Sequence, residues 1–151
     1  MTFGGFMDSP ISRFEGEFEF LSNFYPVEVL FDGFTYPSTE HAFQAAKTLV
    51  PGERQLIRSM ASPGKAKKIG RTIALRPGWD SLRLKIMEDL VRQKFSRPEL
   101  AEKLLATGDQ ELIEGNWWND FFWGVCQGRG ENHLGEILMK VRSDIRSSKP
   151  G

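Results

Sequence analysis

The sequence contains few of the residues that cross-link a protein or hold a metal. Its 151 residues include one cysteine, Cys126, and two histidines, His41 and His133. A lone cysteine excludes an internal disulfide and a cysteine-based zinc site, and it suits a reducing compartment. Two histidines do not favour a dedicated metal site. We therefore predict that the protein uses no metal and no other cofactor.

Net charge and long apolar runs are also lacking. Twenty basic and twenty acidic side chains give a formal net charge of zero, which argues against binding to bulk DNA or anionic membrane by charge alone. No stretch approaches the roughly 18 apolar residues of a transmembrane helix. Residues 1–8 lack the basic and apolar parts of a signal peptide. These absences predict a cytoplasmic protein that contacts no membrane, and nothing indicates an obligate protein partner.

The composition is that of a globular domain. Hydrophobic residues make up 40% of the chain and charged residues 26%. A chain of this length buries roughly 70% of its unfolded surface as one domain. We therefore expect residues 1–151 to form a single domain with a core at about residues 13–145, and a frayed tail from residue 146.

The first third of the chain has the patterns of a small sheet. Apolar and acidic side chains alternate over residues 14–20, which is typical of a half-buried strand. A second strand is predicted for residues 27–31. Asp32 and Gly33 then form a hairpin-type turn into residues 34–36. The sequence predicts a short antiparallel sheet.

From Pro37 onward the periodicity is helical. Helices are predicted from Ser38 to Leu49, Glu53 to Met60, Pro63 to Gly70, and from Asp80, Ser96 and Asn132 onward. Ser38, Asp80 and Asn132 are candidate caps, Trp79 can pack on Leu84, and Ser96 to Glu99 has capping-box spacing. The predicted fold class is mainly α with a small N-terminal antiparallel sheet (α+β).

One helical face carries an unusual mixture of side chains. Glu40, Phe43, Gln44 and Lys47 are spaced three, four and seven apart and therefore share a face. In a purely structural interpretation, Glu40 and Lys47 complement the two ends of the helix dipole. In a functional interpretation, a carboxylate and an amine about 10 Å apart along the axis converge on one ligand.

Residues 116–130 form a second candidate segment. Five aromatic side chains surround Asp120, and a carboxylate in that setting needs a partner or a cavity. Glycines then lead into the helix near Asn132, where free backbone N–H groups favour a phosphate and Arg129 would assist. The structural alternative is a core-filling loop, which is favoured for Trp118, Phe121 and Phe122.

Two further features have weaker functional interpretations. Residues 65–71 are strongly basic, which is typical of a solvated face and is also compatible with phosphate contact. Cys126 is a possible nucleophile by residue type, but neither histidine is obviously placed to activate it.

Several separate motifs occur in an order that identifies a family. They are Phe20-Leu21-Ser22-Asn23-Phe24-Tyr25-Pro26, Pro37-Ser38-Thr39-Glu40-His41-x-Phe43-Gln44-Ala45-x-Lys47, the stretch from Ala66 to Arg71, and Glu114 through Asn119-Asp120, Trp123-Gly124, Asn132 and Leu134-Gly135-x-x-Leu138-Met139. Together they resemble the YbiA/NADAR family of N-glycosidases, which is also described as riboflavin-biosynthesis-associated. The resemblance extends from about Arg13 to Arg142.

The resemblance implies a compact, mainly helical fold and hydrolysis of an N-glycosidic bond. The implied substrates are phosphoribosylated intermediates of early riboflavin synthesis, or ADP-ribose attached to guanine. The implied catalytic residues are Glu40, Lys47 and Asp120. The implied substrate-binding residues are Asn23, Phe24, Phe43, Gln44, Arg71, Trp123, Gly124, Arg129 and Asn132.

One departure from the family pattern affects the expected specificity. Val125-Cys126-Gln127 follows the Trp-Gly pair, where relatives continue with an acidic, glycine-rich run. We expect a small-molecule phosphoribosyl or ADP-ribosyl substrate, with ADP-ribosylated nucleic acid left open. The alternative function is a non-catalytic protein that binds such groups. A small nucleic-acid-binding module is disfavoured by the zero net charge.

Overall fold

The structure is a computed structural model that describes residues 9–148. The chain divides into two compact units. Asn23–Lys94 forms the hairpin–helix unit, and Met1–Ser22 together with Phe95–Gly151 forms the terminal unit. The predictions made for residues 1–8, and for the end of the tail at 149–151, lie outside the described residues.

The hairpin–helix unit begins with a two-stranded antiparallel sheet. Strand β1 is Pro26–Phe31 and strand β2 is Phe34–Ser38, with Val29 opposite Tyr36. Asp32 and Gly33 have φ angles of 46° and 86°. Positive φ at both central positions is the conformation that matches a tight turn to the twist of the strands. The predicted hairpin is confirmed.

Four helices complete this unit. They are α1 (Thr39–Ala46), α2 (Pro51–Arg58), α3 (Pro63–Gly70) and α4 (Trp79–Lys94). The predicted cap of α1 is present, because the Ser38 hydroxyl accepts the backbone N–H of His41 at 3.1 Å. Ser62 accepts the N–H of Lys65 in the same way at the start of α3. Both helices therefore begin where the local sequence predicts.

Helix α1 is shorter than predicted. It ends at Ala46 rather than at Leu49, and the carbonyls beyond it bind arginines. The carbonyl of Lys47 accepts the backbone N–H of Arg76, and the carbonyl of Thr48 accepts Nε of Arg54. These bonds satisfy carbonyl groups that a longer helix would have used internally.

The start of α4 differs from the prediction. The helix begins at Trp79, so Asp80 lies in its first turn and is not the cap. The Trp79 ring packs on Phe43, with centroids 5.2 Å apart, whereas Leu84 is exposed. The predicted staple between Trp79 and Leu84 is therefore wrong, because a staple needs its first residue to precede the cap, whereas Trp79 is already helical.

The terminal unit contains a 3₁₀ helix where the sequence predicts a strand. Gly16–Leu21 forms this helix, and Gly16 has a φ angle of 63°. The consecutive side chains of Phe20 and Leu21 are both buried. A strand would direct neighbouring side chains to opposite faces, whereas a tight helical turn lets both reach the core. The strand prediction for residues 14–20 is wrong.

The rest of the terminal unit consists of two helices and a short parallel pair of strands. Helix α5 is Pro98–Ala106, strands β3 and β4 are Gly115–Asn116 and Val125–Cys126, and helix α6 is His133–Ser148. The N-cap of α5 is Arg97, because Pro98 occupies the first helical position. Ser96 therefore lies one residue before the cap, and the predicted capping box is wrong.

The end of α6 is longer and more ordered than predicted. The helix continues to Ser148. Arg146 binds the carboxylate of Asp109 at 2.9 Å and the carbonyl of Gly108 at 2.7 Å. A frayed tail from residue 146 is therefore wrong as far as Ser148. The fold class is confirmed: mainly α with a small N-terminal antiparallel sheet. Within residues 9–148, no helix has the length and apolar character needed to cross a membrane.

Candidate active site

Helix α1 is buried along its whole length. All eight residues of Thr39–Ala46 are buried, including Glu40, which is 7% exposed, and Gln44, which is 4% exposed. Burying a carboxylate is costly unless hydrogen bonds compensate for the lost water. A helix that places Glu and Gln among buried alanines is therefore a candidate functional element rather than ordinary core.

Glu40 is held by two hydrogen bonds. Its backbone N–H donates to the carbonyl of Asn23 at 3.0 Å, and Nε2 of Gln44 donates to its Oε2 at 2.6 Å. Its position in the first turn also places the negative charge at the positive end of the helix dipole. The fold thus fixes the position of this residue and the orientation of its carboxylate.

Asn23 and Phe43 surround this carboxylate-bearing helix within the hairpin–helix unit. Asn23 is buried, and its Nδ2 lies 3.5 Å from Sδ of Met87. Phe43 is buried against Trp79. The structure therefore brings together Asn23, Glu40 and Gln44 through hydrogen bonds, while Phe43 supplies apolar packing on the same helix.

Lys47 lies at the C-terminal end of α1. It is the C-cap residue, and its side chain is half-buried. Nη1 of Arg76 donates to the carbonyl of Ala46 at 3.3 Å, which places a second cation at this helix end. Two other predicted binding residues in this unit, Phe24 and Arg71, are exposed, and Arg71 caps the end of α3.

The other predicted site residues belong to the terminal unit. Oδ1 of Asp120 accepts the backbone N–H groups of Phe122 at 3.1 Å and Trp123 at 2.8 Å. Oδ1 of Asn116 accepts the N–H of Asp120, and Nδ2 of Asn116 donates to the Asp120 carbonyl. The Asp120 carboxylate therefore bonds to backbone N–H groups and fixes the conformation of residues 116–124, which we call the aromatic loop.

The aromatic loop is less buried than predicted. Trp117 is 83% exposed, and Trp118 and Phe121 are also exposed. The prediction that Trp118 and Phe121 fill the core is wrong. Arg129 lies over the ring of Phe121, with 5.9 Å between the guanidinium carbon and the centroid.

The predicted phosphate-binding site at the start of α6 is wrong in its main feature, which is a set of free backbone N–H groups. The backbone N–H groups of residues 131–134 donate to the carbonyls of residues 121–124, including His133 to Phe122 and Leu134 to Trp123. Groups that are already bonded within the protein are not available to bind a phosphate. The helix start instead anchors the aromatic loop.

Asn132 and Gly124 have structural explanations. The Asn132 side chain accepts the N–H of Glu114 at 2.9 Å and donates to the carbonyl of Leu112 at 2.9 Å, so it does not cap α6. A Cβ on Gly124 would lie 2.1 Å from the carbonyl oxygen of Glu114. Asn132 and Gly124 each allow two backbone segments to lie close together. Asparagine and glycine would also suit a substrate-binding loop, so their residue types alone do not distinguish the two roles.

The sequence predictions gave no role in the site to two residues that the structure buries, His41 and Lys94. His41 lies between the Ser38 hydroxyl, 2.7 Å from Nδ1, and the Met60 carbonyl, 3.0 Å from Nε2, which is a structural role. Lys94 is 1% exposed, and burial lowers its pKa to about 7. Its Nζ lies 5.5 Å from the centroid of Tyr25. The sequence feature that could have identified Lys94 is its place in a series with a spacing of four whose other members are apolar: Leu82, Ile86 and Leu90.

Two features bear on metal and thiol chemistry: the distribution of metal-ligating side chains and the environment of Cys126. Across residues 9–148, no cluster of three or more His, Cys, Asp or Glu side chains could hold a metal ion. Cys126 is buried, and its Sγ lies 3.8 Å from Oδ1 of Asn119.

The fold and the motif-bearing helix define a known class of protein. The NADAR domain model matches residues 11–146, and the chain belongs to the NADAR family. Among its relatives, N-glycosidase YbiA of Escherichia coli strain K12 is 39% identical over 132 residues, covering 85% of this chain and 82% of that protein. N-glycosidase Npun_R5314 of Nostoc punctiforme is 37% identical, covering 83% of this chain and 85% of that protein.

A solved structure and a longer relative extend the comparison. The NMR structure of E. coli YbiA superposes with a TM-score of 0.83 at 34% identity, covering 95% of this chain and 90% of that one. Riboflavin biosynthesis protein VVA0006 of Vibrio vulnificus is 36% identical over 150 residues, which span 95% of this chain and 41% of that protein. The predicted family and the enzyme class, hydrolases of N-glycosidic bonds, are confirmed.

Proposed function

We propose that this chain, acting as one N-glycosidase domain, hydrolyses the C1–N bond of a ribose that carries a phosphate or an ADP group. The observation that carries the proposal is Glu40, a buried residue whose carboxylate accepts the Gln44 amide and whose backbone N–H donates to the Asn23 carbonyl. Family membership supports the reaction class, and the residue roles are our own assignment.

The chemistry of the bond explains why a buried carboxylate is useful. As the C1–N bond breaks, positive charge builds on C1 and the ring oxygen of the ribose. An ionised carboxylate that is already oriented stabilises this charge without reorganisation, and it does so more strongly away from water. Glu40 has this combination of burial and fixed orientation. Neither metal nor redox chemistry is required for the step.

Two routes complete the hydrolysis. In the first, water attacks C1 while the base leaves with the electron pair of the C1–N bond and takes up a proton. In the second, Nζ of Lys47 bonds to C1, the base leaves in the same way, and the sugar ring opens to an imine. Water then adds to the imine carbon, the sugar is released, and the Lys47 amine is regenerated.

Two substrate classes fit the proposal. The names of the Vibrio relative and of a maize chloroplastic riboflavin biosynthesis protein, which is 34% identical over 148 residues, favour a phosphoribosylated riboflavin-pathway intermediate. An ADP-ribosylated guanine, free or in nucleic acid, presents the same C1–N bond next to a phosphate-bearing ribose.

The direct test is product release. The purified protein would be incubated with phosphoribosylated and ADP-ribosylated amines, and release of the free base and sugar would be followed by mass spectrometry. We expect hydrolysis of at least one class. Tight binding without any release would instead support the alternative function, a non-catalytic protein that binds these groups.

A matched pair of variants tests the role of the carboxylate. Glu40→Gln should fold normally and lose about 10²-fold or more in rate, as for removal of a positioned charge-stabilising group. Glu99→Gln is the control, because Glu99 is an exposed glutamate in the first turn of α5. If Glu40→Gln stays within about threefold of wild type, as the control should, Glu40 acts only on the helix dipole.

A further inference from the structure

The Gln44 amide is bonded at its nitrogen and enclosed at its oxygen. Its Nε2 donates to Oε2 of Glu40 at 2.6 Å, one helical turn earlier on α1. Its Oε1 is buried, and among residues 9–148 it has no hydrogen-bond partner. A buried amide oxygen left unpaired has an energetic cost. The rest of the site must therefore hold the amide in this orientation.

Gly70 provides the space that this orientation requires. Gly70 is the last residue of α3 and is buried. A Cβ at this position would lie 1.9 Å from Oε1 of Gln44 and 2.7 Å from its Cδ. The backbone of Gly70 is helical, so no positive φ angle requires a glycine here. The requirement is the close approach of the Gln44 side chain to the α3 backbone.

From this geometry we infer that Gln44 is a positioning residue for Glu40, and that Gly70 maintains it by leaving room for the amide. The inference rests on the proposed function, in which Glu40 is the catalytic carboxylate. It reassigns Gln44 from the substrate-binding set that the family resemblance implies. Gly70 becomes a residue that affects catalysis without touching the substrate.

The physical effect is on the charge of Glu40. An N–H that donates to a carboxylate stabilises the ionised form. Loss of the Gln44 donor therefore raises the pH at which the carboxylate gains a proton. Since the ionised form stabilises the transition state, the acid limb of the pH–rate profile should move to higher pH.

Gln44→Met separates positioning from substrate binding. Methionine has a similar length and fills the same space, but it has no N–H to donate. We expect kcat to fall about tenfold or more, KM to stay within about twofold, and the acid limb to move to higher pH. A large rise in KM with kcat and the acid limb unchanged would make Gln44 a substrate ligand and overturn the inference.

Gly70→Ala tests whether Gly70 acts through Gln44. The added methyl group should displace the Gln44 amide and reproduce the kinetic effect of Gln44→Met. Gly64→Ala is the control on the same helix, because a Cβ there meets nothing closer than 3.9 Å. In a Gln44→Ala background, Gly70→Ala should cause little further loss of rate, since Oε1 and Cδ are gone and only the Cβ of residue 44, at 3.2 Å, remains close. Fully additive losses would contradict the inference.

A measurement independent of turnover keeps this inference distinct from the proposed function. The side-chain carboxyl carbon of Glu40 can be titrated by ¹³C NMR in wild type and in Gln44→Met, with Glu40→Gln providing the assignment. We expect the titration midpoint to be higher in Gln44→Met. An unchanged midpoint refutes the positioning role even in an active enzyme. A raised midpoint in a protein that cleaves no N-riboside supports the role of Gln44 and refutes only the proposed function.

Discussion

Oδ1 of Asp120 accepts the backbone N–H of Trp123 at 2.8 Å, so the acid for which the family resemblance implies a catalytic role also holds the aromatic residue three positions later. The same oxygen accepts the N–H of Phe122. A carboxylate that bonds two successive N–H groups fixes the direction of the chain at the turn. Asp120 therefore both carries a negative charge and fixes the geometry of its loop, and substitutions can separate these two contributions.

Asp120→Asn and Asp120→Ala distinguish these two contributions. Asparagine keeps an Oδ1 acceptor but removes the charge, whereas alanine removes both. We expect Asp120→Asn to keep the wild-type tryptophan fluorescence and to lose about tenfold or more in rate, as for a missing catalytic charge. Asp120→Ala should change the fluorescence as well. Wild-type rate in Asp120→Asn would limit Asp120 to shaping the loop.

Borohydride trapping tests the role of Lys47. If its amine attacks C1, the ring-opened sugar is held as an imine that borohydride reduces to a stable amine. We expect an adduct on the peptide that contains Lys47, detected by mass spectrometry. Lys47→Arg is the matched variant, because it retains a cation at the end of α1 but cannot form the imine. An adduct-free wild type and an active Lys47→Arg would together favour direct attack by water.

The buried Lys94 predicts how stability depends on pH. Its pKa is lowered from 10.5 to about 7 by burial. Between these values the unfolded chain binds a proton that the folded protein does not, so stability rises with pH. The contribution approaches about 1.4 kcal/mol per pH unit and levels off outside this window.

Urea unfolding at several pH values measures this effect. In Lys94→Met the unfolding free energy should rise less steeply between pH 7 and pH 10 than in wild type, by up to about 1.4 kcal/mol for each pH unit. Lys68→Met, on the exposed side of α3, should retain the wild-type slope. Parallel curves for wild type and Lys94→Met would show that Lys94 is charged when folded.

A substitution at Gly135 tests the packing at the start of α6, where the sequence predicts a phosphate-binding site. A Cβ at this position in α6 would lie 2.1 Å from the carbonyl oxygen of Leu112 and 2.3 Å from Nδ2 of Asn132. We expect Gly135→Ala to destabilise the protein by about 1–3 kcal/mol in urea unfolding, as for an overpacked site. Gly64→Ala should be neutral or stabilising by up to about 1 kcal/mol, because alanine is the better helix former.

The helix caps and the hairpin turn could be predicted because their causes are local. Ser38 bonds a backbone group three residues ahead, and Asp32 with Gly33 adopts the positive φ angles that the turn requires. Helical spacing placed Glu40 and Lys47 on one face, whereas their catalytic role was implied by the family resemblance. The order of several separate motifs along the chain was sufficient to suggest the family.

The failures of prediction have causes that are distant in sequence. Gly16–Leu21 forms a 3₁₀ helix, and residues 14–20 do not form the predicted strand, because Phe20 and Leu21 are both buried in the terminal unit, which strand alternation would prevent. The N–H groups at the start of α6 are bonded to carbonyls from the aromatic loop. In both cases tertiary contacts outweighed a correct reading of local periodicity or capping potential.

The sequence by itself determined the hairpin turn, the Ser38 cap, the family and the chemical groups available to the site, since each depends on residues within a few positions or on motif order. The tertiary structure alone decided what those groups do. It placed the Gln44 amide between Glu40 and Gly70, buried Lys94, and used Asn132 to hold the backbone at Leu112. The physical reason is that burial and hydrogen-bond partners depend on distant segments of the chain, and these set the cost of a charge and the direction of a side chain.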